Sequence, residues 1–168
     1  MSEAPADAFF EVNGRRWRRT DPHIPEALRQ ALVNELMSAR RAVGAATNEV
    51  ARRAARRRVH DAKVALGERG RAWWLASTAT QSMPRIEAAL RALLRSRPEG
   101  TIRPSEVARI ADGASWRRLL PAVRRQAVDL AAAGRLTILD RQGHRAPGEA
   151  SRGGLCYGPS ASLARDVL

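Results

Sequence analysis

One cysteine, Cys156, stands among 168 residues. A lone thiol excludes an internal disulfide and cannot by itself form a thiolate metal site, so no oxidising compartment is demanded and the cytoplasm is the expected location. The three histidines, His23, His60 and His144, lie far apart with no second ligand at metal spacing, and no glycine-rich phosphate loop sits between a strand and a helix. Neither a metal, a cofactor nor an enzymatic site is therefore expected. No segment approaches the roughly 18 apolar residues of a membrane span, and MSEAPADAFF has neither a positive n-region nor an apolar h-region. A soluble chain that does not meet a membrane is the expectation.

Carboxylates are also scarce. Thirty Lys and Arg against 17 Asp and Glu give a formal charge of +13, enough to draw polyanions toward the surface before any specific contact forms, and nucleic acid is the commonest such partner. Lys63 is the only lysine; a compositional bias explains that choice of base but not the excess over acids. Residues 1–81 hold 15 bases and 9 acids, and residues 82–168 hold 15 and 8, so neither half is merely a basic tail. With 44% hydrophobic residues, the chain can build one ordinary core or two small ones. Two modules are predicted, over 9–74 and 84–160, joined by a Ser-, Thr- and Ala-rich linker over 75–83.

What the chain does contain is patterned. Phe9 to Val12 and Arg15 to Arg18 flank Asn13-Gly14, the pair favoured in a two-residue type I′ turn, and predict a β-hairpin. Asp21 is placed to accept the free amides of a following turn, and Pro22 and Pro25 suit a first helical turn because they lack that donor. The spacing of Leu28, Leu32, Leu36, Ala39 and Val43 predicts a helix over 25–43. Thr47 or Asn48 caps a second helix with Ala51, Ala55, Val59, Ala62 and Leu66 on one face, ended by Gly67. So short a break packs the two antiparallel as an αα-hairpin.

Beyond the linker, Ile86, Leu90, Leu93 and Leu94 mark an amphipathic helix that stops before Pro98 and Gly100. Thr101-Ile102 is a minimal strand, and Pro104 opens a short helix carrying Val107, Ala108 and Ile110 that Gly113 closes. Ser115 is placed to cap a third helix reaching toward Ala133, with Trp116, Leu120, Val123, Ala127, Leu130 and Ala131 inward. Pro121 either kinks that helix or marks where its regular part begins. Leu136 to Leu139 and Leu155 to Tyr157 read as paired strands. The predicted class is mainly α with small β: a β-hairpin plus αα-hairpin, then helix, strand, helix, helix and hairpin in winged helix-turn-helix order.

The stretch IRPSEVARIADGASWRRLLPAVRRQAVDLAAAGRLTIL resembles a family of bacterial winged-helix domains of unknown function, in which a Pro-Ser-Glu-Val-Ala-Arg helix precedes a Trp-Arg-x-Leu-x-Pro-x-Val-Arg helix. Pro104 to Arg109 and Trp116, Arg117, Leu119, Pro121, Val123 and Arg124 carry the match. The resemblance extends over about 84–157 and implies a fold without an activity. The front half, with NGRRWRRTDPHIPEALRQALVNELMSARRAV and HDAKVALGERGRAWW, is similar to the segment that precedes this domain in actinobacterial proteins. Some of these bear a biopolymer-transport label, which finds no support in a chain with no apolar run of membrane length.

In winged-helix proteins the third helix usually enters the major groove. At roughly 100° per residue, Arg118 and Arg125 lie opposite the apolar stripe while Arg117 and Arg124 flank it. This is a four-arginine face for duplex DNA, where the planar fork can hold phosphate or guanine with two hydrogen bonds. Arg141, Arg145 and Arg152 lie in or near the wing loop, within reach of phosphates or a minor groove. On the helical hairpin, Arg53 and Arg57 oppose the apolar face and Arg52 and Arg56 flank it, a secondary patch for a second phosphate stretch or an acidic protein. The plainer alternative for all these arginines is a solvated face with local carboxylate partners. Trp17, Trp73, Trp74 and Trp116 suit either base stacking or the core, and Cys156 reads as a packed thiol. A second class of function is a protein-interaction adaptor, in which the helical hairpin meets an acidic partner and the winged helix docks.

Overall fold

The Asn13-Gly14 turn sets the first element. Asn13 has φ 51° and Gly14 φ 71°, the two positive angles that a type I′ turn requires to follow the right-handed strand twist. Strands β1 (Phe9–Val12) and β2 (Arg15–Arg18) pair antiparallel, with Phe10 opposite Trp17 and Phe9 opposite Arg18. The computed structural model describes residues 3–140, 142–146 and 154–160.

The hairpin leans on the segment that follows the helices. Arg18 donates from Nη1 to the Gly70 carbonyl at 2.9 Å, and Trp73 Nε1 donates to the Arg19 carbonyl at 3.2 Å. Phe9 meets Trp74 edge-on at 5.5 Å, and Trp74 meets Trp73 edge-on at 5.1 Å, geometries that suit the quadrupoles of the rings.

Helix α1 (Glu26–Ala45) buries Leu28, Leu32, Leu36 and Ala39 along the predicted stripe. Ahead of it, Asp21 Oδ1 accepts from the His23 amide at 2.9 Å, the role its position suggested. Helix α2 (Glu49–Ala65) is capped by Asn48, whose side chain accepts from the Ala51 amide at 2.8 Å. Gly67, at φ 79°, ends the run where a side chain would be strained. The two helices pack on each other, and α2 presents its alanines to the leucines of α1.

Helix α3 (Ala79–Ser96) begins inside the stretch expected to be a linker. Thr78 and Gln81 form a capping box: the Thr78 hydroxyl accepts from the Gln81 amide at 3.2 Å, and the Gln81 side chain accepts from the Thr78 amide at 3.0 Å. Two free amides are thereby satisfied at the start of the helix, and Pro84 lies within its second turn. Ile86, Ala89, Leu90, Leu93 and Leu94 are buried because α3 packs against α1 and α2 on one side and α4 and α5 on the other. One contiguous apolar cluster consequently runs from Ile24 to Tyr157.

Helix α4 (Pro104–Ala111) starts with Pro104 in its first turn, and Glu106 accepts from the Arg103 amide at 2.7 Å. Its cap is Asp112, and Gly113 serves a different purpose from the closure expected of it. A Cβ on Gly113 would lie 2.7 Å from both the Cβ and the carbonyl oxygen of His23, so glycine lets the chain ahead of α1 approach the end of α4.

Ser115 makes no side-chain cap, contrary to expectation; instead Asp112 Oδ1 accepts from the Ser115 amide at 3.1 Å. A 3₁₀ turn, Trp116–Leu119, precedes α5 (Leu120–Ala132). Pro121 thus falls in the first turn of the regular helix and does not kink it, since its missing amide has no partner to lose there.

Strands β3 (Leu136–Leu139) and β4 (Cys156–Pro159) pair antiparallel with Ile138 opposite Tyr157. Ile102 adds a third, single-residue rung: its amide donates to the Tyr157 carbonyl at 2.9 Å, and the Tyr157 amide returns a bond at 2.8 Å. Among the described residues no helix is long and apolar enough to cross a membrane.

Candidate nucleic-acid interface

The third helix begins as a 3₁₀ turn, and this shift in winding divides the expected four-arginine face. Arg124 and Arg125, on α5, are exposed and have no carboxylate at ion-pair distance among the described residues. Arg117 and Arg118 lie on the turn and have local partners. Arg118 donates from Nε and Nη2 to Asp112 Oδ2 at 3.1 and 2.5 Å, which occupies its fork. Arg117 rests 4.6 Å from the Trp116 ring centroid, with Arg109 at 4.5 Å from the same ring. A stacked guanidinium keeps the N–H groups of its edge for another acceptor.

Arg109, the last residue of the matched Pro-Ser-Glu-Val-Ala-Arg helix, was not among the contact residues expected from the sequence. It stands at the last turn of α4, seven residues before Trp116, and only the fold brings ring and guanidinium together. Trp116 itself is half-buried at the edge of the core.

The loop after β3 is held by Asp140. Its carboxylate accepts from the amides of Gln142 at 2.8 Å and His144 at 2.9 Å. The bond from the His144 amide, with that from Gln142, holds the Asp140 carboxyl below its usual pKa. Arg145 is exposed on this loop, bridged through its backbone to Leu139. Arg141 and Arg152 lie outside the described residues.

Tyr157 is buried on β4, the strand that meets α3, and burial raises its pKa strongly while the Arg124 charge acts in the opposite direction. Its hydroxyl is neutral at physiological pH and has no hydrogen-bond partner among the described residues.

The secondary patch is likewise half committed. Arg52 donates to Glu49 Oε2 at 3.2 Å and to the Ala46 carbonyl at 3.3 Å, and Arg56 lies 4.0 Å from Glu49 Oε1. Arg53 and Arg57 are exposed without a carboxylate at that range among the described residues. Next to them, Arg58 is buried in a pair with Glu35 that the run of arginines did not reveal.

The histidines have separate partners: His23 with Asp21 at 3.0 Å, His60 with Arg69 at 3.4 Å and His144 with Asp140 at 3.5 Å. No group of three His, Cys, Asp or Glu capable of holding a metal ion occurs among the described residues. Cys156 is a half-buried thiol in β4.

Residues 83–155 match the model of a family described as "Protein of unknown function (DUF3253)". That segment runs from the second turn of α3 to the residue before β4 and contains Arg117, Arg124, Arg125 and Arg145, whereas the helical hairpin lies outside it. No curated protein matches the chain.

Proposed function

We propose that residues from α3 to β4 form a winged helix-turn-helix that binds duplex DNA through α5, with contacts that are largely electrostatic. The order of helix, single-residue strand, helix, helix and hairpin supports the architecture. The observation that carries the binding reading is the exposure of Arg124 and Arg125 on α5 without acidic partners among the described residues, in a chain of formal charge +13. Arg117 and Arg145 extend the basic surface, and Arg118 contributes only if a phosphate displaces Asp112. Phosphates fix the position of such a helix while base edges specify sequence, so the affinity rests mainly on the former.

Fluorescence anisotropy with a random duplex tests this. The double variant Arg124→Ala/Arg125→Ala is expected to bind roughly ten- to thirtyfold more weakly at the same salt concentration, from two lost charge-assisted contacts. Unchanged affinity with native circular dichroism removes α5 from the interface.

A second reading, a protein-interaction adaptor, has one feature in its favour. Phe10, Val12 and Trp17 are 40%, 47% and 40% exposed on one face of the β-hairpin, an apolar surface that electrostatic DNA binding does not use. Under that reading the α5 double variant retains its protein partner.

A further inference from the structure

Asp61, on α2, reaches across to α3 and is almost fully enclosed. It accepts from Arg91 Nε at 3.0 Å and Nη2 at 2.9 Å, and from Arg95 Nη1 at 2.8 Å. These three side chains, with Arg57, His60 and Arg135, wall a cavity of about 380 Å³ at the junction of α2, α3 and the start of β3. Among the described residues Asp61 is the only carboxylate in that wall, opposite the guanidinium groups of Arg57, Arg91 and Arg95; Glu87 pairs with Arg91 from outside it. Positive charge therefore exceeds negative inside a concave, partly enclosed space, where a field acts more strongly than on open surface.

Two groups remain available to a ligand. The Arg95 side chain is only 5% exposed, yet its Nε has no hydrogen-bond partner among the described residues. Among the described residues only the Nη1 group of this enclosed guanidinium has a partner, Asp61, and an acceptor entering the cavity that Arg95 lines would pair the N–H groups that face it. Arg57 lies one turn before Asp61 on α2, with its side chain exposed and no carboxylate at ion-pair distance among the described residues. Burial would lower the Arg91 pKa, but hydrogen bonding and attraction to Asp61, with help from Glu87, hold it above the ordinary arginine value.

We propose that this cavity binds a phosphate group, with Arg57 and Arg95 donating to its oxygens and Asp61 fixing the guanidinium planes of Arg91 and Arg95. Planar forks held in place by a carboxylate suit a tetrahedral oxyanion with several acceptor oxygens. The volume exceeds that of a phosphate ion, so the group can arrive free or on a small organic molecule. This inference is independent of DNA binding through α5, which can fail without affecting it.

Isothermal titration of the full chain at constant ionic strength, with inorganic phosphate and with ribose 5-phosphate, separates the two sources. Saturable one-to-one binding of either is expected, with the organic ester tighter if the remaining volume is used and equal if the phosphate group alone is read. Arg57→Ala is expected to weaken it roughly tenfold, Arg95→Lys to weaken it as well, and Arg40→Ala on the exposed face of α1 to leave it unchanged. Should Arg95→Lys fail to fold, Arg57→Ala decides alone. Heat that does not saturate with either probe, an unchanged affinity in Arg57→Ala, or an equal loss in Arg40→Ala overturns the proposal.

Discussion

Replacing Arg58 with alanine is expected to cost about 3–5 kcal/mol of folding stability, a fall of roughly 10 °C in Tm. Arg58 Nε donates to Glu35 Oε1 at 2.9 Å, and its Nη2 donates to Glu35 Oε2 at 3.0 Å and to Ser38 Oγ at 3.1 Å. The two side chains are 6% and 2% exposed, so truncating one leaves the other charge buried without its partner, and this desolvation accounts for most of the loss. The pair is specific to the packing of α1 on α2 and is not in itself strongly stabilising. Arg58→Met combined with Glu35→Leu is therefore expected to recover most of what Arg58→Ala loses, because both charges leave together. Urea denaturation of the two variants beside the wild type checks this. A loss below about 1 kcal/mol for Arg58→Ala would show that water reaches the pair.

Asp61→Ala is expected to cost a similar amount, about 3–5 kcal/mol, by releasing two guanidinium groups at once. Asp61 is 5% exposed and Arg95 5%, while Arg91, at 24%, retains Glu87 and can turn toward solvent. The cost arises chiefly at Arg95, which has no such exit. Asp61→Asn keeps an acceptor and should recover part of the loss, so the order wild type, Asn, Ala in chemical denaturation is the expected result. Exposed Arg40→Ala provides the scale, with an expected change within about 0.5 kcal/mol.

The hairpin, the helical stripes and the β3–β4 pairing were legible because each rests on periodicity or turn chemistry within a few residues. Asn13-Gly14, Asn48 and Pro104 occupy the places their chemistry demands. The start of α3 was hidden by Pro84, a residue that ordinarily ends helices, even though Thr78 and Gln81 three residues apart already carried the capping signal. The buried ions were less visible. Arg58 sits at +3 from Ala55 and −4 from Ala62, on the apolar stripe itself, but it stands in a run of arginines that reads as a solvated face. Its partner Glu35 is 23 residues away, and the pairing of charges that distant follows from helix packing alone.

The candidate interface was half legible for a related reason. Helical spacing projected Arg117 and Arg118 onto the same face as Arg124 and Arg125, but Trp116–Leu119 winds as a 3₁₀ turn, with three residues per turn in place of 3.6. That change carries Arg118 back to Asp112, and the contact of Arg109 and Arg117 with Trp116 likewise depends on how α4 approaches the turn.

The central claim, that exposed arginines on and around α5 meet phosphates, is tested most directly by titrating the full chain with a random duplex across a series of salt concentrations. Each neutralised phosphate contributes about −0.9 to the slope of log affinity against log salt. Neutralising about six would give a slope near −5, and with Arg118 retained by Asp112 the expected range is about −3 to −5. Binding with a slope shallower than about −1, or none at low salt, would contradict it.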